Sequence, residues 1–281
     1  MTVAIPKACV MGYPIVHSRS PMLHGYWLKT LGIPGTYEAA EVTEQDFPDF
    51  LRNLRPHGYV GGNVTVPHKE AAFRAVDYRD DAARAIGAVN TVWHEGDRLV
   101  GGNTDAYGFI AHLDASVPHW SELADRAVVL GAGGTARAIV YALLDRGLAV
   151  ALVNRTIARA RELAAHFAMH ASAHGFDELP QLLADADILV NATSLGMARK
   201  PRLDIDLARL KPAAIVYDVV YVPLETELLK AARRQGHRTV DGLGMLLHQA
   251  VPGFARWFGV TPAVTPELRA LIESDIKAKT T

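Results

Sequence analysis

The fold class is decided by the stretch Ala127-Val-Val-Leu130-Gly131-Ala-Gly133-Gly134-Thr-Ala136, which joins an apolar strand to the start of an amphipathic helix. It matches G-x-G-x-x-A, a pattern typical of turns that bind the pyrophosphate of a dinucleotide. Gly131 makes the tight turn, Gly133 lets the backbone approach the phosphates, and Ala136 allows close packing of helix on strand. The pattern lacks the Lys-Ser/Thr ending of a P-loop, which argues against a nucleotide triphosphatase.

The end of the next strand indicates which dinucleotide binds. An NAD-binding domain usually carries an acidic residue there, about 20 residues after the glycines, to bind the ribose hydroxyls. This chain has Asn154-Arg155-Thr156 at that point and Arg159 one turn later. A guanidinium suits a 2′-phosphate, so the sequence predicts NADP(H) rather than NAD. The alternative is that Arg155 is an ordinary solvated arginine.

Apolar segments alternate with helical patterns along the whole chain, which favours parallel βαβ units. A helix is expected from the N-cap Ser20 to Gly32, and Pro252 is expected to kink or break the last helix. The predicted strands are Ala8–Gly12, Thr36–Val42, Gly61–Val66, a hairpin of Ala88–His94 and Arg98–Gly101, Ala127–Leu130, Val150–Val153, Ile188–Asn191 and Ala214–Asp218. The other predicted helices are Glu44–Leu54, Lys69–Val76, one ending near Asp145, Ala158–Phe167 and Met245–Phe258.

Length and composition limit the possible classes. The 281 residues carry 29 basic and 30 acidic side chains, without the basic excess of a nucleic-acid-binding protein. No apolar run reaches the ~18 residues of a membrane span, and residues 1–12 do not resemble a signal peptide. The single cysteine, Cys9, fits a reducing compartment. We therefore expect a cytoplasmic α/β protein whose partner is neither nucleic acid nor membrane.

The domain organisation expected from these patterns is a Rossmann-type NADP-binding domain over residues 106–241. Residues 1–105 and 242–281 would form an α/β substrate-binding domain, with a cleft between the two. Histidines 166, 170 and 174 lie at helical spacing but lack acidic or cysteine companions, so we interpret them as a solvated helix face and expect no metal.

Two residues outside the glycine motif are suited to acid–base chemistry at a carbonyl. Lys69 follows a strand and the sequence Thr65-Val-Pro67-His68, and Asp105 follows Gly102-Asn-Thr at the proposed boundary. A lysine beside a carboxylate can donate a proton in reduction and accept one in oxidation. Taken singly, Lys69 could be an exposed helix lysine and Asp105 a helix N-cap.

The chain resembles the shikimate dehydrogenase family over nearly its whole length. The motifs that carry the resemblance occur in the family's order. They are Gly12-Tyr-Pro14-Ile-Val-His17-Ser18-Arg-Ser20-Pro21, Asn63-Val-Thr65-Val-Pro67-His-Lys69, Gly87-Ala-Val-Asn90-Thr91, Gly102-Asn-Thr-Asp105, the glycine loop with Asn154-Arg155-Thr156, Asn191-Ala-Thr193-Ser194-Leu-Gly196-Met197, and Asp241-Gly-Leu-Gly-Met245-Leu-Leu-His-Gln249.

The resemblance implies reversible NADPH-dependent reduction of 3-dehydroshikimate to shikimate, in the biosynthesis of aromatic amino acids. Lys69 and Asp105 resemble the family's catalytic pair, and Ser18 and Ser20 its carboxylate-binding hydroxyls. The other implied substrate-binding residues are Thr65, Asn90, Tyr221 and Gln249. The implied cofactor-binding residues are Gly131, Ala132, Gly133, Gly134, Thr135, Ala136, Asn154, Arg155, Thr156, Arg159, Thr193, Met197 and Gly242.

Three alternatives stay open at this point. One is a quinate or quinate/shikimate dehydrogenase, which differs by one substrate hydroxyl and often uses NAD. Another is a non-catalytic NADP-sensing relative, against which the retained Lys69 and Asp105 argue. The third is a relative that takes an aminated substrate in secondary metabolism. The sequence does not distinguish a monomer from a homodimer. Gly25, where the family often has Asn, affects one helix contact rather than the chemistry.

Overall fold

The computed structural model describes residues 5–167 and 170–280, which divide into two compact units. The N-terminal unit comprises the described residues up to Thr104 together with Leu247–Ile272. The central unit comprises Asp105–Leu246 and the C-terminal residues from Glu273. In the described part of the chain no helix combines the length and hydropathy needed to cross a membrane.

The N-terminal unit is built on a six-stranded mixed sheet with the order β2-β1-β3-β5-β6-β4. Its strands are β1 (Lys7–Gly12), β2 (Thr36–Glu41), β3 (Tyr59–Val64), β4 (Tyr78–Arg79), β5 (Thr91–Glu95) and β6 (Arg98–Gly102), and its first helices are α1 (Ser20–Thr30), α2 (Phe47–Arg52), α3 (Lys69–Ala75) and α4 (Asp81–Ile86). β1 pairs in parallel with β2 and β3, whereas β5 is antiparallel to β3 and β6. The predicted β5–β6 hairpin is confirmed, and it turns over Gly96 at φ +58°.

The central unit is built on a fully parallel sheet with the order β12-β11-β10-β7-β8-β9. Its strands are β7 (Arg126–Leu130), β8 (Ala149–Val153), β9 (Ala171–His174), β10 (Ile188–Asn191), β11 (Ile215–Asp218) and β12 (Arg238–Val240), and its helices include α5 (Asp105–Ser116), α6 (Gly134–Asp145), α7 (Ile157–His166), α8 (Leu179–Asp185) and α9 (Glu227–Arg234). The chain runs outward from β7 to β9, then returns to place β10 on the other side of β7. This is the dinucleotide-binding topology, in which ligands bind beyond the carboxyl ends of the strands at the reversal point.

Two further helices close the chain, α10 (Gly242–Phe258) and α11 (Pro266–Thr280). Pro252 was expected to kink or break the last helix, and the helix α10 continues past it, so no break occurs at this residue. The loss of one helical hydrogen bond at Pro252 is outweighed locally by burial, because Val251, Phe254 and Trp257 beside it are all buried. The Trp257 indole N–H donates to the Val92 carbonyl at 2.9 Å, which fixes this helix on β5.

Three local expectations differ from the structure. The helix expected over Glu44–Leu54 begins only at Phe47, where Pro48 favours the first turn, and it ends at Arg52. The short elements β4 and α4 carry too few residues to give a periodic pattern, and the sequence did not predict them. The histidines at 166, 170 and 174 do not share the helix face that their spacing predicts. The helix α7 ends at His166, and His174 belongs to β9, where it pairs with Val153.

Candidate active site

Lys69 is the first residue of α3 and is half-buried. The residue before it, His68, is buried, with Nε2 2.7 Å from the Val42 carbonyl oxygen and its ring stacked on Phe47 at 4.2 Å. The Lys69 carbonyl accepts a hydrogen bond from the Val89 N–H at 3.0 Å. The Lys69 side chain therefore extends from a backbone that is held on both sides.

Ser18 and Ser20 lie at the start of α1 and are both half-buried. The Ser18 hydroxyl oxygen accepts from the Ser20 N–H at 3.3 Å. The expectation that Ser20 is the N-cap is wrong by one position. Arg19 occupies the cap and makes no capping bond with its side chain, and Ser20 is the first helical residue.

Tyr37 is a buried residue to which the sequence patterns assign no function. Its hydroxyl donates to Asn63 Oδ1 at 2.6 Å, and the Asn63 amide donates to Thr91 Oγ1 at 3.2 Å. Its ring is stacked on the buried imidazole of His24 at 4.0 Å. The only sequence signal is the alternation of β2, in which Tyr37 is the buried residue of the strand.

The Asn90 side chain accepts three hydrogen bonds on one oxygen atom. Its Oδ1 accepts from the Thr104 N–H at 2.8 Å, the Thr104 hydroxyl at 3.2 Å and the Thr91 hydroxyl at 2.9 Å. The Thr104 hydroxyl also lies 3.5 Å from Oε1 of Gln249, a half-buried residue of α10. Three donors on one oxygen fix the rotamer of Asn90 before any ligand binds. Thr65 directly follows β3 and is half-buried. Its N–H donates to the Met11 carbonyl at 2.9 Å.

The glycine turn of the central unit has the geometry that the pattern predicted. Gly131 has φ +111°, a conformation that side-chain-bearing residues rarely adopt, and its N–H donates to the Val153 carbonyl. Gly133 occupies the N-cap of α6 without a capping side chain, and a Cβ placed there would meet only open space. Ala136 is fully buried against the sheet. The first N–H groups of this 12-residue helix therefore border open space, as a pyrophosphate site requires.

The residues after β8 offer donors and no carboxylate. The Asn154 side-chain amide donates to the Thr156 carbonyl at 2.9 Å, and Thr156 is the N-cap of α7. Arg155 and Arg159 are both exposed. These guanidinium groups have the charge and geometry to bind a phosphate.

The loop after β10 lies beside the glycine turn. A Cβ on Gly131 would come within 3.1 Å of both the Ala192 carbonyl oxygen and the Thr193 methyl group. Met197, further along the same loop, is 41% exposed. Gly242, at the start of α10, has no room for a side chain, because a Cβ would lie 2.1 Å from the Val219 carbonyl oxygen.

Asp105 and Tyr221 both belong to the central unit. Asp105 is the first residue of α5 and is buried, directly after Thr104 in the chain. Tyr221 is half-buried in the loop that follows β11. The six other residues expected to bind or transform substrate (Lys69, Ser18, Ser20, Thr65, Asn90 and Gln249) lie in the N-terminal unit.

Comparison with known proteins identifies the family. Three family profiles match in succession: a shikimate dehydrogenase substrate binding domain over residues 10–92, a shikimate/quinate 5-dehydrogenase over 117–209, and a shikimate 5′-dehydrogenase C-terminal domain over 242–271. A shikimate dehydrogenase (NADP(+)) of Brucella melitensis is 58% identical over 274 residues, which cover 96% of this chain and 94% of that protein. The chain belongs to the shikimate dehydrogenase family.

Solved structures of the family share the whole architecture. Shikimate 5-dehydrogenase from Thermus thermophilus, in complex with NADP(H) and shikimate, has a TM-score of 0.85 and 35% identity, with 96% of this chain and 99% of that chain covered. Quinate dehydrogenase from Corynebacterium glutamicum, in complex with NAD, has a TM-score of 0.89 and 32% identity, with 96% and 99% covered. The fold therefore accommodates both substrates and both cofactors, and local residues must decide between them.

Within the family frame, the first profile contains Lys69 and the serine motif, and the second contains the glycine turn and Arg155. Gln249 lies within the third profile. Gly25, the departure from the shikimate dehydrogenase pattern, has open space where a side chain would stand, so its effect is confined to one surface of α1.

Proposed function

We propose that this protein catalyses the reversible NADPH-dependent reduction of 3-dehydroshikimate to shikimate. The observation that carries the proposal is a rigid polar set in the N-terminal unit, with Asn90 fixed by three hydrogen bonds and Lys69 on a fixed helix start. Such a set suits a small polyhydroxylated ring with a carbonyl group to be reduced. In this assignment residues 1–105 and 242–281 bind the substrate and residues 106–241 bind NADP(H).

The acid–base group in this proposal is Lys69. In the reducing direction its ammonium donates a proton to the ketone oxygen, and in the oxidising direction its amine accepts the hydroxyl proton. Asp105, the buried first residue of α5, is the carboxylate of the proposed catalytic pair. When bound, the nicotinamide supplies the hydride in reduction and accepts it in oxidation.

The remaining substrate contacts follow from donor chemistry. Ser18 and Ser20 offer two hydroxyl donors two residues apart for the substrate carboxylate. Neutral hydroxyls bind the anion less tightly than a guanidinium and allow the product to leave. Thr65, Asn90, Gln249 and Tyr221 provide amide and hydroxyl groups for the ring hydroxyls.

The residues of the central unit fit NADP(H). Gly131, Ala132, Gly133, Gly134, Thr135 and Ala136 would hold the pyrophosphate, because the helix start borders open space and carries no acidic residue in its first turn. Arg155 and Arg159, with Asn154 and Thr156, would bind the 2′-phosphate. Thr193, Met197 and Gly242 would border the nicotinamide. The free buried thiol of Cys9 supports a reducing compartment, the cytoplasm, as the place of the reaction.

A steady-state matrix tests the proposal. Shikimate and quinate are each assayed with NADP and with NAD, and we expect the highest kcat/KM for shikimate with NADP. The Corynebacterium relative makes quinate with NAD the relevant competing pair. Turnover of quinate with NAD alone would contradict both the substrate and the cofactor assignment. No turnover with any pair would instead support an NADP-sensing protein.

A further inference from the structure

Asp218, the last residue of β11, is 0% exposed and belongs to none of the sets assigned above. One carboxylate oxygen accepts from the Asn191 side-chain amide at 2.9 Å and from the Val220 N–H at 3.0 Å. The other accepts from the Thr226 hydroxyl at 2.6 Å. A buried carboxylate with three donors is bonded firmly, and its loss would leave those donors without their acceptor.

The bonds of Asp218 reach the loop beside the glycine turn through one intermediate residue. Asn191, also fully buried, uses its Oδ1 to accept the Thr193 N–H at 3.1 Å and the Thr193 hydroxyl at 2.7 Å. Its amide also donates to the Leu195 carbonyl at 3.1 Å, and the Leu195 N–H returns a bond to the Thr193 hydroxyl at 3.0 Å. The Asn191 amide therefore has one orientation, which Asp218 imposes by accepting its N–H.

The same carboxylate fixes two other segments. It accepts a hydrogen bond from the N–H of Val220, the residue directly before Tyr221. It also accepts a hydrogen bond from Thr226, the N-cap residue of α9. Burial raises the pKa of Asp218 to about 6, against the lowering effect of its hydrogen-bond donors, so the group is mainly ionised at neutral pH. One anion thus joins the ends of β10 and β11 to the start of a helix.

We propose that Asp218 is a positioning residue that holds the Thr193–Met197 loop in the conformation that receives the nicotinamide half of the cofactor. The inference rests on the proposed function, since it assumes that Thr193 and Met197 border the nicotinamide. Its geometric support is independent, because Thr193 lies beside the glycine turn, so that a Cβ added at Gly131 would come within 3.1 Å of the Thr193 methyl group.

The experiment compares two ligands that share the 2′-phosphate half of the cofactor. NADPH contains the nicotinamide, and adenosine 2′,5′-bisphosphate lacks it. For Asp218→Ala we expect the NADPH dissociation constant to rise by about tenfold or more, because the three donors that hold the loop lose their acceptor. We expect the bisphosphate dissociation constant to stay within about twofold, and kcat to fall. A merely structural role would weaken both ligands alike.

Asp187 provides the matched control. It is a carboxylate of the same sheet, at the amino end of β10, where it accepts the N–H groups of Asp125 and Arg126 and pairs with Lys211 at 2.7 Å. Asp187→Ala is expected to lower the Tm without changing the ratio of the two dissociation constants. Asp218→Asn keeps an oxygen for Asn191 and Val220, so it should restore NADPH binding to within about threefold of the wild type.

The outcomes separate this inference from the proposed function. If the wild type does not oxidise shikimate with NADP, the proposed function fails. If it does, and Asp218→Ala weakens NADPH and the bisphosphate equally, the positioning role is overturned. Should Asp218→Ala fail to fold, Asn191→Ala breaks the link from Asp218 to Thr193 and leaves the bond between Asp218 and Thr226 in place, and the same selective loss of NADPH affinity is expected. An equal loss for both ligands in that variant would also overturn the proposal.

Discussion

We predict that the buried His24 makes the stability of the N-terminal unit depend on pH. Its imidazole is 0% exposed, stacked on Tyr37 and within 6 Å of the rings of Trp27, Phe254 and Trp257. Neither ring nitrogen has a hydrogen-bond partner among the described residues. Burial lowers the pKa of His24 to about 3, and the nearby Asn63 side chain opposes this shift only in part.

The sign and the size of the effect follow from linkage. The unfolded chain binds a proton at His24 below about pH 6.5, whereas the folded protein does so only near pH 3. Acid therefore favours unfolding, and the stability present above pH 6.5 is lost progressively as the pH falls toward 3. Between pH 7 and pH 5 the loss due to this one group is about 2 kcal/mol.

The variant His24→Phe keeps an aromatic ring and removes the titration. We expect its free energy of unfolding to fall by about 2 kcal/mol less than that of the wild type between pH 7 and pH 5. Urea unfolding followed by tryptophan fluorescence is a suitable assay, because three of the four tryptophans lie in the N-terminal unit. His17→Phe, at an exposed histidine, is the control and should follow the wild type. Equal pH dependence in wild type and His24→Phe would refute the assignment of His24 as a buried neutral group.

Three further predictions concern the site itself. Arg155→Ala should weaken NADPH binding by about 10- to 100-fold, as expected for lost bonds to a charged phosphate, and should weaken NADH binding far less. Calorimetry measures both affinities, with Arg161→Ala, at an exposed arginine, as the control. Equal losses of NADPH and NADH affinity in Arg155→Ala would contradict the prediction. Lys69→Ala should lower kcat by about 10²- to 10⁴-fold and should change the KM for shikimate much less. Lys29→Ala, at an exposed lysine, is the control and should leave kcat unchanged. A kcat of Lys69→Ala within a few-fold of the wild type would exclude Lys69 as the acid–base group. Gly131→Ala should lower the free energy of unfolding by about 1–2 kcal/mol, because φ is +111° and the added Cβ meets the Ala192 carbonyl. It should also weaken NADPH binding. An unchanged Tm and an unchanged NADPH dissociation constant would show that the turn tolerates a side chain.

Local sequence patterns predicted most of the regular structure. The prediction of β10 over Ile188–Asn191 is confirmed. The predicted helix end near Asp145 is the end of α6, and β8 begins one residue before the predicted Val150 and ends at the predicted Val153. β8 and β10 are short apolar strands that are buried along most of their length, and α6 is a 12-residue helix with an apolar face, so burial of apolar side chains determines their conformation. The helix expected over Glu44–Leu54 failed because its periodicity is compatible with several starting points, and Pro48 selects a later one.

The residues of the site divide in the same way. The glycine turn, the donors after β8 and the position of Lys69 could be predicted, because each depends on a few consecutive residues. The roles of Tyr37 and Asp218 could not, because their partners lie 26 and 27 residues away in the chain, at Asn63 and Asn191. A hydrogen bond over such a separation depends on strand order, which a single segment does not encode.

By itself, then, the sequence determined the dinucleotide-binding turn, the absence of a carboxylate beside Arg155 and the alternation of strands and helices. The tertiary structure alone decided that β10 lies next to β7, which brings Thr193 against Gly131, and that α10 continues through Pro252. It also decided that His24 is enclosed by aromatic rings drawn from α1, β2 and α10. The physical reason is the same in each case. Backbone conformation responds to neighbours in sequence, whereas burial, desolvation and the choice of hydrogen-bond partner depend on segments that meet only when the chain is packed.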